Sequence, residues 1–115
     1  MGIKEDILAF HFSERAKSEL IIATKLLHAL RDFEDQDLEG AKKLYLLFLD
    51  FVLTEVSFGF PFVDLREAEE RIREARGFVE LGEFERAGES FSSALSSITT
   101  RSELAMRSLM EKGLL

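Results

Sequence analysis

Between Leu38 and Val56 the chain carries apolar residues on almost every side of a helix. At about 100° per residue, Leu38, Ala41, Tyr45, Phe48 and Val52 form one row, Leu44, Leu47 and Phe51 a second, and Leu46, Leu49 and Leu53 a third. A helix that is apolar all round has to be surrounded. Yet 115 residues provide for one core only, and in a domain of four or five helices each long helix normally keeps one polar side. One of the three rows is therefore expected to lack a neighbour within the chain's own fold. The same stretch, broken by Asp50 and Glu55, is too short and too charged to span a bilayer.

The remaining segments read as helices with one buried stripe each. Leu8, Phe12, Ala16, Leu20, Ala23, Leu27 and Leu30 follow one another at steps of four and three. An acidic linker, 32–37, separates this first helix from the second, which Asp37 is placed to cap. Residues 57–63 form a breaker-containing loop around the single proline, Pro61, with phenylalanines at 58, 60 and 62. Asp64 and Glu67 make a capping box for a third helix with a Leu65, Ala68, Ile72, Ala75 and Val79 stripe, ended by Gly82. Phe84, Ala87, Phe91, Ala94 and Ile98 define a fourth. A second box, Thr100 to Glu103, predicts a separate short helix running to about Lys112, with Gly113 as its stop. The expected fold is a single all-α domain over residues 1–115: four main helices in two antiparallel hairpins, closed by a short C-terminal helix.

Gly82, Phe84, Ala87, Phe91 and Ala94, preceded by Ala75 and Phe78, resemble the turn and second helix of a tetratricopeptide repeat. Arg71, Glu74 and Thr99 depart from that family's pattern, and Leu38, Ala41, Tyr45 and Phe48 repeat it faintly. The likeness covers about 34 residues, one repeat length. It implies stacked helical hairpins and a protein-binding role. The asparagines with which such repeats clamp peptide carboxylates are absent.

Composition narrows function further. No cysteine is present, so disulfides and thiolate metal sites are excluded. Twenty-two acidic against 15 basic residues, a net charge of -7, disfavour nucleic acid as a partner. No secretory signal or membrane segment is legible, and a cytoplasmic location is expected. Asparagine is absent and Gln36 is the only glutamine, a composition expected of a heat-adapted source.

No catalytic constellation stands out. His11 and His28 lie on different faces of the first helix and lack metalloprotease spacing. Glu67, Glu70 and Asp37 are the acids that a small all-α metal-dependent nucleotide hydrolase would use, but their spacing is that of a solvated acidic face. Asp50 is expected to reach water beside its apolar neighbours. Arg66, Arg71, Arg73, Arg76 and Arg86 are interspersed with glutamates that cancel their field, with Glu67/Arg71 and Glu69/Arg73 at pairing distance. The function expected is a non-enzymatic helical scaffold or adaptor with no cofactor, the nucleotide hydrolase being the alternative. A homodimer is expected to cover Leu46, Leu49 and Leu53 together with Phe58, Phe60 and Phe62, with another protein as the rival occupant.

Overall fold

The structure, a computed structural model, describes residues 2–114. Four antiparallel helices occupy them: α1 (Ile3–Leu30), α2 (Asp35–Phe58), α3 (Arg66–Glu80) and α4 (Phe84–Glu111). Each packs on its two neighbours in a closed ring, α1 on α2, α2 on α3, α3 on α4 and α4 back on α1. The result is an all-α up-and-down bundle, 55 Å long and 19 × 18 Å across. No described helix is long and apolar enough to cross a membrane.

Residue spacing explains each stripe. In α3, Ala68, Ile72, Ala75 and Val79 are fully buried, joined by Leu65 immediately before the helix. In α4, Ala87, Phe91, Ala94 and Ile98 meet them. The alanines bring the helices close, and Phe91, the largest fully buried side chain, fills the space between. The α3–α4 turn is made by Gly82 at φ +77°, a backbone conformation that side chains disfavour. Gly82→Ala is expected to destabilise by about 1 kcal/mol through that strain alone, since its methyl would meet nothing within 4 Å. A chemical denaturation series checks the figure.

Three boundaries differ from the sequence expectation. The separate C-terminal helix does not exist: α4 continues through Thr100, whose hydroxyl donates to the Ser96 carbonyl as within any helix. Ser102, inside the expected box, lies buried and donates to Glu14 on α1. With neither glycine nor proline between Ile98 and Ser102, nothing interrupts the stripe that runs on through Ala105 and Leu109. α2 begins two residues ahead of Asp37, after Glu34. Asp64 accepts the Arg66 backbone N–H at 3.1 Å, but no reciprocal box through Glu67 forms.

In the first turns of α1 the buried row is Asp6, Ala9 and Ser13, one position away from Leu8 and Phe12. Small residues are needed there because α4 presents its own small row, Ser102 and Ala105. Asp6 accepts hydrogen bonds from Lys112 and from Ser108 Oγ at 2.7 Å, which hold its carboxyl below the ordinary range. Phe12, displaced to the flank, stacks on Phe62 at 5.2 Å. Gly59 makes this possible: a methyl there would sit 3.1 Å from Phe12 Cβ and 3.2 Å from Leu65.

Candidate interaction surface

The inner side of α2 is Tyr45, Leu49, Val52, Leu53 and Val56, all buried. Tyr45 donates its hydroxyl to the Ala23 carbonyl of α1 at 2.6 Å. On the α3 side, Lys42 donates to the Glu80 carbonyl at 3.1 Å, and Arg76 grips Asp50 with contacts of 2.8 and 3.2 Å. Asp50 remains half-exposed, as its spacing beside the polar positions implied. Tyr45→Phe removes one buried hydrogen bond, so a loss of roughly 1 kcal/mol is expected in thermal melts.

This packing overturns the expected placement of the unpartnered row. Leu49 is 0% exposed, Leu53 is buried and Leu46 is half-buried. With α1 and α3 on either side of α2, the arc between those two neighbours is the core, and Leu49 and Leu53 fall inside it. The row left outside is Leu44 (71% exposed), Leu47 (65%), Phe51 (50%) and Phe58 (60%). With Gly40 and Thr54 it forms a stripe at steps of four, three, four, three and four: the 3.5-residue period of a coiled-coil seam. Exposed Ile22 and Leu26, beside and one turn from Ala23, extend the patch onto α1.

The loop phenylalanines divide between two places. Phe58 belongs to the α2 seam. Phe60 and Phe62 turn into a cleft of about 630 Å³ where the first turns of α1 and the last turns of α4 run past the α2–α3 loop. Ala9, Val63 and Leu104 supply its apolar walls, and Asp64, Arg66 and Arg101 its rim. The rim charges are already engaged: Arg66 holds Asp64 at 2.9 and 3.0 Å, and Arg101 lies 4.0 Å from it. Arg66 keeps the Asp64 carboxyl well below its usual range.

An acidic pair lies in the α1–α2 groove. Arg15 bridges Glu55 at 2.9 Å and Glu19 at 3.6 Å, yet Oε2 of Glu19 is buried without a hydrogen-bond partner. Burial, then the nearby Glu55 charge, push the Glu19 carboxyl upward. A raised folded-state value means that folding favours the protonated acid, so stability falls as pH rises through that value. Glu19→Gln is therefore expected to raise the melting temperature at pH 7 and to change it little at pH 4. Paired melts at the two pH values check this; a lower melting temperature at pH 7 contradicts it.

The other candidate groups do not converge. Asp37 stands at the start of α2, whereas Glu67 and Glu70 stand at the start of α3, the opposite end of an antiparallel pair. His11 and His28 are both exposed on α1. Among the described residues no three histidine or carboxylate side chains are grouped to hold a metal ion. Arg66, Arg73, Arg76 and Arg86 pair with Asp64, Glu69, Asp50 and Glu83. Arg71 takes Glu74 at 3.1 Å in place of Glu67. Compared with protein-family models, curated proteins and solved structures, the chain matches none.

The seam had a signal in the sequence. Gly40 and Thr54 interrupt the apolar row that contains them, and a core row would be left with holes at both. A methyl added at Gly40 meets nothing within 4 Å, consistent with its outward position.

Proposed function

We propose that the protein is a non-enzymatic helical scaffold that works by binding protein through the outer side of α2. One observation carries this reading: a continuous apolar seam points away from a core that is complete without it. Leu44, Leu47, Phe51 and Phe58 do not help hold the bundle together, and such contiguous apolar exposure is characteristic of interaction sites. Coiled-coil spacing favours a helical partner surface over a bound small molecule. The resemblance of the sequence pattern from Ala75 to Ala94 to a tetratricopeptide repeat supports the same class of function.

The reading is tested by affinity capture from cell extract with the intact protein and with a Leu44→Lys, Leu47→Lys, Phe51→Lys variant. At least one protein, another chain or a copy of this one, is expected to be retained by the intact chain and lost by the variant. Identical retained sets contradict the reading.

A further inference from the structure

Resting on the reading above, we propose that the occupant of the α2 seam is a second copy of this chain, its α2 running antiparallel about a two-fold axis at Leu47.

The residues of the seam are self-complementary in that orientation. Antiparallel pairing about Leu47 places Leu47 against Leu47 of the second copy, Leu44 against Phe51, and Gly40 against Thr54. Large side chains meet large ones near the axis, and a glycine meets the mid-sized threonine away from it. In an antiparallel pair the same flank of each helix meets, and here that flank carries Lys43 and Asp50 on the side away from α1. Lys43 of one copy then lies beside Asp50 of the other, twice per dimer. Among the described residues, Lys43 makes no ion pair within its own chain. Asp50, gripped by Arg76, remains half-exposed and has lone pairs to spare.

Charge and size point to the same occupant. Gly40, Leu44, Leu47, Phe51, Thr54 and Phe58 include no ionisable group, although the chain as a whole has net charge -7. A basic partner would find no complementary field on this stripe. A copy would meet a stripe without ionisable groups, with Lys43 and Asp50 on its flank, and at physiological salt the remaining charge is screened beyond about 8 Å. A 24-residue α2 is about 36 Å long. The adjoining ridge of α1 at Ile22 and Leu26 widens the face beyond a single helix stripe, toward the roughly 800 Å² per partner of a standard stable interface. One patch used twice closes the assembly at two copies.

Sedimentation equilibrium between 1 and 200 µM is expected to show a species of twice the 13.1 kDa chain mass at the upper concentrations. Leu47→Glu is expected to raise the dissociation constant at least 100-fold with its helical circular dichroism intact, and Lys43→Glu about 10-fold. The chain has no cysteine of its own, so engineered thiols report the register. Leu47→Cys alone is expected to form a disulfide-linked dimer on oxidation, because residues on the axis come within bonding range. Gly40→Cys and Thr54→Cys are each expected to stay uncrosslinked alone and to crosslink when mixed. A wild-type chain that remains monomeric at 200 µM overturns the second copy as occupant; if extract capture still depends on the seam, the scaffold reading stands without it. A dimer in which Gly40→Cys crosslinks to itself overturns the antiparallel pairing.

Discussion

Leu49→Glu is expected to leave the chain largely unfolded at 25 °C, with its helical circular dichroism lost. Leu49 is fully buried in the same core cluster as Leu20, Val52, Val56 and Ile72. Removing the leucine forfeits about 1.5–3 kcal/mol of apolar burial. The carboxylate that replaces it finds no cation on the inner side of α2, since Arg76 and Lys42 are both committed on the α3 flank. An unpaired buried charge costs several kcal/mol more, whether the acid stays ionised or takes up a proton to avoid it. Domain stabilities are about 5–15 kcal/mol, so the two losses together consume most of the total. On the sequence expectation this substitution would split a dimer. The observed packing makes it a folding defect, and a folded monomeric variant would contradict the assignment of Leu49 to the core.

Phe91→Ala is expected to cost about 3–5 kcal/mol, the range for truncating a buried aromatic ring. Phe91 sits in the first half of α4, the helix that packs on both α1 and α3, and the residues sharing its core include Ala23, Ala75, Ala87 and Ala94. Alanines have no flexible side chains with which to fill the vacated volume, so the cavity persists unless backbones move. For a domain of this size each kcal/mol shifts the melting temperature by several degrees, and a drop well above 10 °C is expected. Urea unfolding checks it through a lower midpoint at unchanged slope. A loss below about 1 kcal/mol would mean that α3 and α4 close over the gap.

The α3–α4 half was readable because its two faces differ sharply. Every residue of the Leu65 to Val79 stripe is buried, and charged residues coat the rest of α3. Gly82 ended the helix where the backbone needs a positive φ. The first turns of α1 were misplaced by one position because apolarity selects Leu8 and Phe12, whereas close approach to α4 selects Ala9 and Ser13. Capping-box residues at Thr100 to Glu103 misled because the same residue types serve inside a helix: the Thr100 hydroxyl bonds the carbonyl four residues back, and the small Ser102 lies buried against α1. α2 was ambiguous in principle. When two opposite arcs of a helix are both apolar, hydrophobicity cannot say which is inside, and the choice passes to the small interruptions at Gly40 and Thr54 and to the ties that Lys42 and Asp50 make to α3. Phe58 was placed on the exposed surface as expected, but Phe62 is tied to Phe12 by a ring contact across the loop, which spacing alone does not reveal.

Everything proposed for function depends on which side of α2 faces outward, and residues 47 and 49, about 200° apart on the helix, report it directly. Thermal melts of Leu47→Glu and Leu49→Glu at 1 µM, followed by circular dichroism, are the test. Leu47→Glu is expected to keep the parent's helical signal and a melting temperature within a few degrees of it, while Leu49→Glu shows no cooperative transition. If Leu49→Glu melts like the parent and Leu47→Glu is the unfolded variant, α2 is turned the other way and its outer side is not the one described.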